Sequence, residues 1–188
     1  VRFISNHSTG KMGFALAKTA MQRGADVTVV AAHTSAKEPL YVNIRRVSSA
    51  ADMFEACKEE AKTADIIIKA AANKIKKSDD TMAITCKRTQ DILAYLGAHK
   101  PDGQFLCGFS METEHMLENS EKKLEKKNLD MIVANNLKVK GAGFATDTNV
   151  VTLITKEEVK ELPLMSKDEV ANEILTQILQ RRCPENGQ

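Results

Sequence analysis

Apolar positions along this 188-residue chain switch between two spacings. Over 10–23, Phe14, Ala17, Ala20 and Met21 recur at a helical interval, and Gly24 follows where a helix C-terminus favours glycine. Over 26–32 the run DVTVVAA is short and nearly continuous, the pattern of a strand buried on both faces. The alternation goes on. Strands are predicted at 44–47, 65–72, 82–87, 105–109 and 130–136, and helices at 50–63, 90–98 and 114–127. Strands alternating with helices of about 10–15 residues predict βαβ units. The fold class is therefore α/β, a three-layer Rossmann-like, mostly parallel sheet with helices on both faces. Right-handed crossovers gather the strand C-terminal ends on one edge, where such sheets bind ligands. Ala70–Ala72, Lys74–Lys77, Phe109 and Asn135–Asn136 lie at or beyond strand ends and are expected to converge with the opening loop.

The last third changes character. Gly141–Asn149 (GAGFATDTN) is a glycine-rich loop. Residues 150–155 and 159–162 predict an antiparallel hairpin. A final helix spans 166–182, with Ser166 and Glu169 spaced as a capping box. The whole of 1–188 is expected to form one domain, with 183–188 as a loose tail.

Composition narrows the picture. Hydrophobic residues make up 43% of the chain, enough for a sizeable core, and 27 basic residues face 25 acidic ones. That balance gives no general nucleic-acid binder, so any basic site is local. The four cysteines, Cys57, Cys86, Cys107 and Cys183, form no CxxC pair and no His cluster joins them, so a zinc site is not expected. Cys86 and Cys107 sit in apolar runs and read as buried thiols, which fits a reducing, cytoplasmic location. No signal peptide and no apolar run near 18 residues is present, so no membrane partner is expected. The chain starts at Val1 without a Met, as a fragment would.

Candidate chemistry concentrates in Val1–Gly13. Ser8 or Thr9 can cap the first helix, Gly10 and Gly13 allow a close backbone approach, and Lys11 adds a positive charge. A helix N-terminus of this kind suits phosphate. An ordinary capped helix start accounts for the Ser-Thr-Gly run equally well, but Asn6, His7 and Arg2 just ahead of it favour a site. The spacing of a P-loop is absent. The second strand ends Ala31-Ala32-His33, without the acidic residue of a dinucleotide fold. Three lysines fall within Lys74–Lys77, just after a buried strand. Taken alone, that run is a solvated turn. Lys122, Lys123, Lys126 and Lys127 read as a solvated helix face, His33, His99 and His115 as surface residues, and Asp91 as a first-turn acid.

Six motifs in order make the reading specific: SNHSTGKMG at Ser5–Gly13, KAAA at Lys69–Ala72, KIKK at Lys74–Lys77, KNLDMIVAN at Lys127–Asn135, GFATDTN at Gly143–Asn149 and LPLMSKDEVA at Leu162–Ala171. Together they resemble the bacterial phosphopantothenate–cysteine ligase family of coenzyme A biosynthesis, over nearly the whole chain. The resemblance implies that 4′-phosphopantothenate is activated by CTP with Mg²⁺ to an acyl-cytidylate, which L-cysteine then converts to the amide. Carried over residue by residue, it implies that Asn6 handles the acyl intermediate, that Lys74 meets the nucleotide phosphates and that Arg2 binds an anionic group. It implies that Lys69, Ala70, Ala71, Gln90, Asp91, Ile92, Leu93 and Phe109 line the cytidine site. Lys123 and Lys127 would meet the triphosphate, while Ser8, Gly10 and Lys11 remain the phosphate-facing helix start. Metal ligands are not assigned. A homodimer is implied, with the hairpin and final helix, 150–182, as the candidate contact.

The chain departs from the family twice. Family members carry a strand and a glycine-rich turn ahead of VRFISN. They also continue KAAA with valine, alanine, aspartate and tyrosine, whereas here Ala72 runs straight into Asn73. Loss of that aspartate would favour the alternative, a non-catalytic Rossmann-like nucleotide-binding module. A nicotinamide-dependent reductase is the third reading. The decarboxylase fused ahead of this domain in many bacteria is not in this sequence, so a stand-alone or an excised ligase is expected.

Overall fold

A left-handed glycine opens the first helix. The computed structural model describes residues 9–70, 89–112, 116–136 and 146–182, and α1 (Lys11–Gln22) takes Gly10 as its N-cap at φ 83, with no side-chain cap. The pattern predicts Ser8 or Thr9 there. Ser8 lies outside the described residues, and Thr9, one residue ahead of the cap, receives the Lys11 N–H on Oγ1 at 3.4 Å. Glycine is favoured because the left-handed backbone strains other residues and because a Cβ on Gly10 would stand 2.8 Å from Thr34 Cγ2. The helix ends as predicted. Gly24, at φ 86, donates to the Met21 carbonyl, and Ala25 donates to the Ala20 carbonyl, a Schellman closure.

β1 (Thr28–Ala31) and β2 (Asn43–Arg46) pair in parallel as a small sheet. α2 (Ala50–Glu60) opens on a capping box between Ser49 and Asp52, which the sequence reading passed over. β3 (Ile66–Lys69), α3 (Ile92–Ala98), β4 (Phe105–Glu112), α4 (Met116–Lys126) and β5 (Met131–Asn136) follow. After them come β6 (Thr148–Asn149), β7 (Val151–Ile154), β8 (Val159–Glu161), β9 (Met165–Ser166) and α5 (Lys167–Arg182). The main sheet has the order β3-β4-β5-β7-β8. Its first three strands are parallel, and the predicted hairpin β7–β8 continues it antiparallel. The predicted box at α5 is present. Ser166 N–H donates to Glu169 Oε2 at 2.7 Å and Glu169 N–H to Ser166 Oγ at 3.2 Å. The short β6–β9 pair was not expected. The predicted strand at 82–87 lies outside the described residues.

Helices cover both faces of the main sheet. Phe105, Cys107 and Phe109 of β4, with Met131 and Val133 of β5, pack against Leu16 of α1 and Val170, Ile174 and Ile178 of α5. Leu106 and Ile132 point the other way, against Leu93 and Leu96 of α3 and Leu124 of α4. The pattern also predicts that 26–32 and 65–72 are strands buried on both faces, and here the structure differs. Only Ala31 of β1 is buried, and β3 is half-buried throughout. Among the described residues β1 is hydrogen-bonded only to β2 and β3 only to β4. No helix among the described residues is long and apolar enough to cross a membrane.

One close approach fixes how α3 and α4 meet. A Cβ on Gly97 would lie 1.7 Å from the Lys127 carbonyl oxygen, and Asn128 Nδ2 donates to the Gly97 carbonyl at 3.0 Å. Alanine in an exposed helix usually stabilises relative to glycine by roughly 1 kcal/mol. The overlap with backbone should reverse that sign. Gly97→Ala is expected to cost about 1–3 kcal/mol, read as a lower urea midpoint. A midpoint equal to or above wild type would contradict the contact.

Candidate functional site

Residues of five sequence-distant motifs meet at the C-terminal edge of the parallel strands. The start of α1 sits beside the end of β3, where a Cβ on Gly13 would be 3.7 Å from Ala70 Cβ. From the first turn of that helix, Lys11 Nζ reaches Asp147 Oδ1 at 2.6 Å, joining STGKMG to GFATDTN across 136 positions. That contact holds the Asp147 carboxyl below the usual aspartate range. At the start of α5, Lys167 N–H donates to the Asp147 carbonyl at 2.9 Å, and its buried side chain donates to the Thr146 carbonyl. Burial, then the charge of Lys11, pushes the Lys167 ammonium down. Buried Asn149 donates to Asn135 Oδ1 at the end of β5 at 2.8 Å. Of the residues expected to converge with the opening loop, Ala70 and Asn135 are brought to this edge, while 1–8 and 71–77 lie outside the described residues.

A second group stands on the opposite face of the same edge. Asp91 caps α3, accepting the Ala94 N–H at 3.1 Å, and its other oxygen accepts Lys127 Nζ at 2.7 Å. Lys69, at the end of β3, is half-buried beside them. Burial lowers its ammonium, with Asp91 opposing and Lys127 reinforcing that shift. Burial also works against ionisation of Asp91. The Lys127 bond, the Ala94 N–H and the charges of Lys127 and Lys69 outweigh it and hold the carboxyl low. One turn before Lys127, Lys123 Nζ donates to Ser110 Oγ at 3.1 Å. The four lysines read as one solvated face thus divide. Lys123 and Lys127 turn toward the strand ends, whereas Lys122 and Lys126 stay exposed.

The remaining expected site residues are distributed unevenly. Gln90 is exposed at the start of α3, with Ile92 half-buried behind it. Leu93 is buried against Gly108, and Phe109 is buried on the α1 and α5 side of the sheet. Their side chains serve the two cores, so what Leu93 offers a ligand is backbone. Arg2, Asn6, Ser8, Ala71 and Lys74 lie outside the described residues. His33 and His99 are exposed as expected. Sequence reasoning missed Ser110, Asp147 and Lys167. Ser110 left a trace: it is the one hydroxyl in phase with Leu106 and Gly108 on an apolar strand. Among the described residues no group of three or more His, Cys, Asp or Glu side chains is placed to hold a metal ion.

Comparison with known proteins decides the family. The model of the DNA/pantothenate metabolism flavoprotein C-terminal domain matches residues 1–181. The chain belongs to this family. The resemblance read from the six motifs is borne out at that level. The chain is 46% identical over 191 residues to the coenzyme A biosynthesis bifunctional protein CoaBC of Bacillus subtilis (strain 168), covering 95% of this chain and 47% of that protein. It spans about half the length of the curated relatives it matches. A crystal structure of the C-terminal domain of a CoaBC protein superposes with a TM-score of 0.83 at 46% identity, covering 96% of this chain and 88% of that one. A Cab2 mutant in complex with phosphopantothenate-cysteine gives a TM-score of 0.73 over 97% of this chain and 80% of that one. At 15% identity that likeness shows the fold alone.

The Asp91 pair makes the stability of this domain depend on pH. A carboxyl held low in the fold contributes stability that is complete above its unfolded value, about 4, and lost as pH falls through the folded one. Asp91→Asn keeps an oxygen for the Ala94 N–H but drops the charge facing Lys127. The pair is partly exposed, at 22% and 53% for its two side chains, so wild type should exceed the variant by only about 0.5 kcal/mol near pH 7. The two should converge as pH falls below the ordinary aspartate range. Thermal melts across that range check this, and a gap that widens on acidification would reject the pairing.

Proposed function

We propose that this chain is a phosphopantothenate–cysteine ligase domain that uses CTP. What carries the reading is the likeness to the C-terminal domain of CoaBC, together with the gathering of STGKMG, KNLDMIVAN, GFATDTN and LPLMSK residues at one sheet edge. A carboxylate oxygen of 4′-phosphopantothenate attacks the α-phosphorus of CTP, and pyrophosphate leaves. The amine of L-cysteine then attacks the acyl carbon, and CMP leaves with the amide formed. Such transfers depend mostly on positioning and on neutralising charge, and lysines collected at strand ends suit both needs.

Roles follow the motif matches. Lys69, Ala70, Ala71, Gln90, Asp91, Ile92, Leu93 and Phe109 line the cytidine side, while Lys74, Lys123 and Lys127 take the triphosphate. Ser8, Gly10 and Lys11 present the helix start to phosphate. Asn6 donates to the acyl intermediate, a contact of the kind worth roughly 3–4 kcal/mol in a transition state, and Arg2 binds an anionic group. Mg²⁺ would accompany the phosphates of the nucleotide. Such ions are usually held by one or two carboxylates plus substrate oxygens, and Asp91 and Asp147, each bonded to a lysine, are carboxylates at this edge that could help hold one. The ion would neutralise charge on the triphosphate. We further propose a cytoplasmic homodimer built on 150–182, where Val159, Leu164 and Leu179 are exposed apolar side chains.

The test is product formation. The chain with CTP, 4′-phosphopantothenate and L-cysteine should release CMP only when cysteine is present, and ATP should substitute poorly. Pyrophosphate release that needs neither phosphopantothenate nor CTP would overturn the reading. Asn6→Asp should spare acyl-cytidylate formation more than amide formation, and Lys74→Gln should impair activation itself. Normal acyl-cytidylate accumulation by Lys74→Gln would remove that lysine from the mechanism.

A further inference from the structure

The segment 146–149 is fixed to the rest of the fold by contacts that leave one carboxylate out. Lys167 N–H donates to the Asp147 carbonyl at 2.9 Å, and the Lys167 side chain donates to the Thr146 carbonyl. Thr148 and Asn149 pair with Ser166 and Met165 as β6 and β9, and Asn149 Nδ2 reaches Asn135 Oδ1 at 2.8 Å. The Asp147 carboxylate takes part in none of these. Its side chain is 87% exposed, and it meets Lys11 Nζ at 2.6 Å. A side-chain rotation is therefore enough to part the carboxylate from Lys11, with the backbone that carries it still held.

The charges nearby explain what the contact does. The first turn of α1 has no acidic residue of its own, and the carboxylate on Lys11 comes from 136 positions away. Lys11 and Lys167 are close enough that the charge of Lys11 lowers the Lys167 ammonium, and Asp147 opposes that shift. One carboxylate thus lies near two ammonium groups, where an anionic ligand would also lie. A phosphoryl group carries more charge than a carboxylate at neutral pH and more acceptor oxygens. An exposed ion pair is weak, so its loss costs such a ligand little. We propose that Asp147 is a built-in competitor of the ligand, holding Lys11 in the free protein and giving it up when a phosphoryl group arrives at the start of α1. The inference rests on the reading of Lys11 as a phosphate contact and adds to it the residue which that contact displaces.

Both 4′-phosphopantothenate and CTP bring phosphoryl groups, so calorimetry on the full chain titrates them separately. The proteins are wild type, Asp147→Asn, Lys11→Met and the pair. Asp147→Asn should tighten binding of at least one ligand, the one whose phosphoryl group reaches Lys11, by roughly twofold to fivefold, the range set by an exposed ion pair. On the Lys11→Met background the same change should bring no gain. Asp65→Asn removes an equal charge ahead of β3, at the opposite edge of the sheet, where Asp65 meets Arg182 at 3.3 Å. That variant should alter neither titration. Unchanged or weaker binding of both ligands by Asp147→Asn would overturn the proposal while the ligase reading stands. So would a gain that persists without Lys11, or an equal gain from Asp65→Asn. A wild-type chain that binds neither ligand overturns that reading and this inference together.

Discussion

Lys127 ties one helix at both ends. Its carbonyl oxygen lies so close to Gly97, in the last turn of α3, that no side chain fits there. Its ammonium reaches Asp91, the cap at the first turn of the same helix. A seven-residue helix is about 10 Å long, within the span of one lysine backbone and its extended side chain. α3 is too short to be stable by itself, so its place depends on this clamp and on Leu93 and Leu96 in the core. The position of α3 then sets that of Asp91, and Asp91 sets one of the ammonium groups at the sheet edge.

The edge works because its charges come from opposite faces of one sheet. Lys11 and Lys167 belong to helices on one side, and Lys69, Lys123 and Lys127 are gathered from the other. Cations brought together repel, and each described contact offsets part of that with a different partner: a carboxylate for Lys11 and Lys127, a carbonyl for Lys167, a hydroxyl for Lys123. Among the described residues the parallel strands β3, β4 and β5 carry no charged side chain between their ends. Rigid strands therefore supply the positions, and short polar contacts at their termini supply the aim.

Much of this was legible in the chain. Helix and strand positions came through because the apolar spacing is set locally, and the Ser166–Glu169 box because capping is a contact across a few residues. The hairpin was readable for the same reason. The N-cap at Gly10 was not, since it depends on Thr34, which the chain brings up from the far side of β1. The half-burial of β1 and β3 was also hidden. A continuous apolar run shows that a strand can be buried, but its neighbours decide whether it is. Motif order identified the family, yet spacing alone could not tell Lys123 and Lys127 from Lys122 and Lys126. Both pairs are four apart, and only the register of α4 against β4 and β5 separates them.

Burial gives the last step. Lys69 is half-buried, and the desolvation that lowers its ammonium makes its charged form unfavourable unless an anion is near. Asp91 opposes that shift and also accepts Lys127 Nζ. A ligand that brings several negative charges to this edge would favour all the lysines in their charged forms at once. Binding would then stabilise the arrangement of α3 and α4 as well as the ligand, because the same clamp that sets the helix also sets the charges. On the CTP reading proposed above, a polyphosphate is the class of molecule whose charge would favour these lysines together.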